Sequence, residues 1–184
     1  PRATASDHSW AARAAHAPRT TLEDRMPGTP ERAKTTPEAV LRSLIGKLPP
    51  KDQKLIRAVR SAVRKRLPTA NELVYDYTSS LVLAYTPTEQ GADGILSIAA
   101  RADGVRLYFG QGSRLPDPKK LLLGSAGVRF IPVESARRLA HPDVKALIAA
   151  AITEAVVPLP ARGRGRLIDR SAAQTKRRRK KAAK

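Results

Sequence analysis

Six cationic side chains stand in an unbroken row, Lys176-Arg177-Arg178-Arg179-Lys180-Lys181, behind an alternation of arginine and glycine, Arg162-Gly163-Arg164-Gly165-Arg166. Like charges at that spacing repel one another and cannot enter a core, so they stay solvated and available to a polyanion. Glycine lets an extended backbone lie close to the floor of a DNA minor groove while arginines enter its negative potential. If the six clustered cations neutralise about six phosphates, the log–log salt slope is about −5. Binding then weakens on the order of a thousandfold between roughly 50 and 200 mM salt.

The glycine-arginine stretch resembles the Arg-Gly-Arg centre of an AT-hook, without the proline that normally follows. The distribution of charge fits a partner of that kind. The formal net charge is +19, and residues 158–184 hold 11 Lys and Arg against one acid. An acidic partner such as nucleic acid follows from that imbalance. A membrane surface does not, because no large apolar residues are interleaved with the cations of the tail.

Side chains for catalysis or metal binding are sparse. The chain has no cysteine, which excludes disulfides, thiolate nucleophiles and Cys-ligated metals. His141 is the only histidine after residue 34, and its place before Pro142 reads as a helix boundary. Ser79, Ser80 and Ser125 have no visible base and no Gly-x-Ser-x-Gly elbow. Glu72 and Asp76 share a strand face but sit about 13 Å apart along it, too far to hold one ion unaided. Gly110-Gln111-Gly112 follows a strand, yet Arg114, Leu115 and Pro116 intervene before any helix, so a tight turn is expected rather than a phosphate cradle. No catalytic residue, cofactor or metal site is assigned, and the reading leans away from an enzyme.

These residues need elements to carry them. Thr36-Pro37-Glu38 caps and opens a helix running to about Gly46. A second helix runs from Pro49-Pro50 to about Leu67, with Leu55, Ile56, Val59, Ala62 and Val63 on one apolar face. Beside that face Lys54, Arg57, Arg60 and Arg64 form a basic stripe, a second contact for a polyanion. From Asn71 the period becomes strand-like, with β-rich runs at Leu73–Tyr77, Leu81–Thr86, Ile95–Ala100, Val105–Phe109 and Val128–Val133. Asp103-Gly104 predicts a type I′ hairpin turn with positive φ at both positions. A helical turn is expected over Lys119–Leu123, and a last helix from Val144 to about Val156. On the fourth strand Arg106 and Tyr108 share the side opposite Val105, Leu107 and Phe109. That side is either a ligand or base-stacking face, or a face covered by helices.

The order of these elements, with Glu72-Leu73-Val74-Tyr75-Asp76-Tyr77, Ser97-Ile98-Ala99, Leu107-Tyr108-Phe109 and Leu115-Pro116-Asp117-Pro118-Lys119-Lys120-Leu121-Leu122, resembles the YdhG-like bacterial domain family of unknown function. Gly124-Ser125 and Val128-Arg129-Phe130-Ile131 belong to the same likeness, which covers roughly residues 37–155. Relatives often carry a Gly-Ser-Gly-Lys-type turn followed by an Arg-His strand. Here the lysine is missing and Phe130 stands for the histidine. The resemblance implies an α+β fold, and one branch of the family is linked to frataxin-like iron delivery.

The expected organisation is an N-terminal extension over 1–34, disordered or mis-annotated, with Met26 as the natural start. A YdhG-like α+β domain with an antiparallel-rich, five-stranded sheet packed with helices follows over 35–157, then a disordered basic tail over 158–184. No apolar run approaches the roughly 18–20 residues of a membrane span, so the expectation is a cytoplasmic bacterial protein. Its expected partner is DNA or RNA, bound non-specifically through Arg162, Arg164, Arg166, Lys176, Arg177, Arg178, Arg179, Lys180 and Lys181. The alternative is a small-ligand or iron-binding and delivery domain that works through the sheet face at Arg106 and Tyr108.

Overall fold

The first helix begins where its capping residues stand. In the computed structural model, which describes residues 35–171 apart from Ala126, the Thr36 hydroxyl accepts the Ala39 amide at 3.3 Å. Pro37 occupies the first turn of α1 (Pro37–Gly46), whose inner face buries Leu41, Leu44 and Ile45. Helix α2 (Pro50–Arg66) buries Ile56, Val59 and Val63. Its last turn holds Arg64, Lys65 and Arg66, cations suited to the negative end of the helix dipole. Gln53 ties the two helices together by donating to the carbonyls of Gly46 and Leu48 at 3.1 and 2.8 Å. Helix α3 (Pro142–Thr153) buries Val144, Leu147, Ile148 and Ala151.

The strands are β1 (Asn71–Tyr77), β2 (Ser80–Thr86), β3 (Leu96–Arg101), β4 (Gly104–Phe109), β5 (Leu123–Ser125), β6 (Val128–Pro132) and β7 (Leu167–Asp169). They form one sheet in the order β5-β6-β4-β3-β2-β1-β7. Val74, Leu83, Ile98, Leu107 and Ile131 stand opposite one another across successive strands. Because side chains alternate across a strand, this register puts all five on one face. They belong to one buried apolar cluster with the inner residues of all three helices. The helices therefore cover that face, and Arg106, Tyr108 and Phe130 lie on the other. Among the described residues no helix is long and apolar enough to cross a membrane.

The architecture is α+β, with several departures from expectation. All five expected strands are present and pair antiparallel with one another. Two three-residue edge strands, β5 and β7, extend the sheet to seven, and β7 runs parallel to β1 and makes it mixed. No helical turn forms over 119–123. The Asp117 carboxylate accepts the Leu121 and Leu122 amides, both at 2.8 Å, and Leu123 then starts β5. At the β3–β4 hairpin Arg101 pairs with Gly104, so Ala102-Asp103 is the loop, and only Gly104 takes a positive φ, 116°.

The chain also stays on the domain past Pro158. Gly165 donates to the Pro68 carbonyl at 3.0 Å, Glu72 donates to the Arg166 carbonyl at 2.8 Å, and Arg170 donates to Val74 at 2.9 Å. Asn71 clamps the crossing, accepting the Arg166 amide at 2.9 Å through its side-chain oxygen and donating to the Thr88 carbonyl at 2.9 Å. An expected tail from 158 is therefore a folded edge as far as the described residues reach. Residues 1–34 and 172–184, with the expectations placed on them, lie outside the described residues.

Gly165 is the close approach that admits β7, since a Cβ there would fall on the carbonyl of Ala70. Gly165→Ala is expected to destabilise the domain by about 1–3 kcal/mol, the usual penalty for overpacking. Hydrogen exchange should show lost protection at Glu72 and Arg170 while the β2–β4 amides stay protected.

Candidate anion-binding cleft

Glu72 is in register with Tyr85 on the neighbouring strand, and both side chains point to the helix-covered face. A carboxylate placed there is removed from water and must be matched by donors. Two come from α2, where Arg60 and Arg64 are one turn apart and reach the same carboxylate. Arg60 Nε lies 2.9 Å from Glu72 Oε1, and Arg64 NH1 lies 2.8 Å from Oε2. The Tyr85 hydroxyl donates to Oε1 at 2.9 Å. Burial pushes the Tyr85 phenol well above its usual range, with the Glu72 charge and hydrogen bond acting in the same direction. It therefore stays a donor throughout the neutral range.

Arg60 has a second carboxylate. Glu38, in the first turn of α1, takes the outer edge of the guanidinium, with NH1 to Oε1 at 2.7 Å and NH2 to Oε2 at 3.0 Å. The two partners differ in exposure, the Glu72 side chain at 2 % and that of Glu38 at 52 %. Burial works against the Arg60 cation, but hydrogen bonds to Glu38 and Glu72, with their charges, outweigh it and raise its pKa. The hydrogen bond from Arg60 holds Glu38 below the usual carboxylate range against a smaller opposing effect of burial, helped by the charges of Arg60, Arg64 and Arg42.

Above this network lies a cleft of about 750 Å³. Arg57, Arg60, Arg64 and Lys65 line it from α2, Glu38 from α1, and Gly163 and Arg164 from the chain that leads into β7. Arg57, Lys65 and Arg164 make no ion pair among the described residues. Five cations thus face one lining carboxylate, with Glu72 beneath them. Such a concentration suits an anion with several negative oxygens, and Arg is the side chain best matched to planar two-point contacts with phosphate or carboxylate.

The structure brings some of the sequence-derived candidates together and separates others. Arg57, Arg60 and Arg64 meet Arg164 in the cleft, while Lys54 is exposed on α2 outside its lining. Arg162 is exposed. Arg166 is paired with Glu89 although its side chain is 71 % exposed, and Arg170 reaches the same carboxylate at 3.5 Å. Lys176, Arg177, Arg178, Arg179, Lys180 and Lys181 lie outside the described residues. On the other sheet face Arg106 is ion-paired with Asp103, its guanidinium 4.5 Å from the Phe130 ring centroid. Tyr108 packs on that same ring at 5.2 Å. The helices do not cover these two residues, and both are already engaged by neighbours.

The Glu72–Asp76 pair does not work as a pair, since Glu72 is buried under two arginines and Asp76 lies 3.9 Å from Lys47 at the surface. Among the described residues no three His, Cys, Asp or Glu side chains gather as metal ligands. Sequence reasoning missed the parts played by Glu38, Lys65 and Tyr85. The usable signal for Tyr85 was parity, because Glu72 shares its strand face with Val74 and its cross-strand partner is an aromatic donor. Compared with protein-family models, curated proteins and solved structures, the chain matches none of them.

Removing one side of a buried ion pair strands the other. Glu72→Ala is expected to cost about 3–5 kcal/mol in urea unfolding. Tyr85→Phe, which removes one donor to a charged acceptor, should cost about 1.5–3 kcal/mol. Equal losses in the two variants would contradict the arrangement.

Glu38 predicts a pH effect of definite sign. Its folded pKa is depressed, so its contribution to stability is present above the ordinary glutamate value near 4.5 and is lost as pH falls through the lowered folded value. The stability difference between the wild type and Glu38→Gln should be constant at neutral pH and shrink in acid below pH ~4.5.

Proposed function

We propose that this chain is a non-enzymatic, cytoplasmic protein of the YdhG-like kind that associates with DNA or RNA, using a basic cleft on the folded domain together with the Lys176–Lys181 run. The observation that carries this reading is the meeting of Arg57, Arg60 and Arg64 with Arg164, about a hundred residues further along the chain, around one cavity. Scattered surface cations are the common state of a basic protein. Cations gathered from two distant segments into a concave site are a focus of positive potential, where field lines concentrate and polyanions accumulate. The overall charge of +19 adds long-range attraction of the same sign.

The test is binding of a 20-nucleotide RNA and a 20-base-pair DNA duplex across a salt series, with three proteins. These are the full chain, the chain ending at Ser171, and the full chain carrying Arg57→Glu and Arg164→Glu. A cut at Ser171 keeps β7, which a cut at Pro158 would remove. Loss of residues 172–184 should flatten the log–log salt slope by about 5, and the double substitution by about 2. Binding that is absent, or that both changes leave untouched, would overturn the proposal.

A further inference from the structure

Among the described residues Arg60 is the one cation of the cleft held by two carboxylates at once, and the two grips are unlike. Glu72 takes the Nε edge from below, with Nε to Oε1 at 2.9 Å and NH2 to Oε2 at 2.9 Å. Glu38 takes the NH1–NH2 edge from the cleft side, at 2.7 and 3.0 Å. The lower grip is buried, also engages Arg64 and Tyr85, and cannot be released without stranding charge in the core. The upper grip sits at the cleft surface, where the Glu38 side chain is half-exposed, and is closer to the class of ion pairs that contribute little. Its geometry, two parallel N–H···O bonds to a pair of oxygens, is the geometry in which a guanidinium also takes phosphate.

We propose that the Glu38 carboxylate is a stand-in for a backbone phosphate. On binding, a phosphate group of the nucleic acid takes the NH1–NH2 edge of Arg60 and Glu38 swings aside into solvent. This rests on the nucleic-acid reading of the cleft and adds its docking point. Glu72 fixes the plane of the guanidinium, so the receiving edge is already aimed and little side-chain freedom is lost on binding. Arg57, Arg64, Lys65 and Arg164 line the same cleft and offer further contacts to the neighbouring phosphates of a polyanion, which a single carboxylate cannot use. Glu38 also suppresses weak anions, since a ligand must out-compete a tethered carboxylate before Arg60 opens.

The decisive variant is Glu38→Gln in the full chain, with Glu134→Gln as a control that removes the same charge from an exposed loop outside the cleft lining. With the 20-nucleotide RNA and the DNA duplex as probes, Glu38→Gln should bind about two- to fivefold tighter than wild type, the factor carried by an exposed ion pair. Glu134→Gln should stay within the smaller change expected of one distant charge. Adding Arg57→Glu and Arg164→Glu to Glu38→Gln should abolish the gain. If Glu38→Gln binds no tighter than wild type, or no tighter than Glu134→Gln, while the Arg57 and Arg164 substitutions still weaken binding, the stand-in role fails and the cleft reading survives. If neither probe responds to Arg57 and Arg164, the cleft reading fails first and takes this one with it.

Discussion

A carboxylate on the inner face of a sheet constrains everything placed over it. Glu72 stands among apolar side chains on the helix side of β1, where an ionised group without partners is not tolerated. Its partners come from two elements, Arg60 and Arg64 of α2 and Tyr85 of β2. Through Arg60 the chain of bonds continues to Glu38 on α1. Apolar contacts of Ile56, Val59 and Val63 with the sheet are non-directional, and a helix can slide or roll on them at modest cost. Hydrogen bonds to one carboxylate tolerate no such movement. The position of α2 on the sheet, and of α1 beside it, is therefore set by charge on top of packing.

That solution loads one helix with two duties. Residues three and four apart on α2 divide by depth: Ile56, Val59 and Val63 face the core, Arg60 and Arg64 reach down to the carboxylate, and Arg57 and Lys65 remain at the surface. The arginines that neutralise Glu72 lift the local potential on the outer side, because two cations answer one buried anion. Glu38 offsets part of the excess. The rest meets the chain entering β7, which Gly165 and the Asn71 clamp hold against the start of β1. Arg164 then joins the α2 stripe through fixed backbone, and the cleft is a by-product of how the last strand attaches.

Much of this was legible in the residues, and the illegible parts share a physical reason. Helix starts at Thr36-Pro37 and Pro49-Pro50, the five longer strands and the parity that sets Val105, Leu107 and Phe109 opposite Arg106 and Tyr108 depend on local preference and period. They came through. The basic stripe on α2 was also visible, but its role in satisfying a buried acid was not, since that depends on register across β1 and β2. Strands β5 and β7 are three residues each, too short for alternation to rise above chance, and they exist through backbone bonds to a neighbour already in place. The turn at 119–123 failed for a related reason. Helical composition there lost to the Asp117 carboxylate, whose two oxygens capture the amides that a helix would have used. In the Arg162–Arg166 alternation, glycine suggested an open backbone free for a DNA groove. At Gly165 the missing side chain serves a close approach to Ala70 within the domain.

The two concentrations of positive charge should act differently on a shared partner. Cations in a row attract over a distance set by the Debye length, about 8 Å at physiological ionic strength, and do so without regard to the geometry of the polyanion. Cations of the cleft stem from a helix and from the segment that leads into a paired strand, so the spacing of their backbones survives binding. Charge of the first kind speeds encounter and supplies salt-sensitive affinity. Charge of the second kind chooses how the partner lies once it arrives. A protein with only the run would hold nucleic acid in any orientation. One with only the cleft would meet it slowly and hold it at a single point. On the proposed nucleic-acid reading, having both on one chain would place the partner against α2, with Arg60 at the centre of contact and Glu72 beneath keeping it aimed.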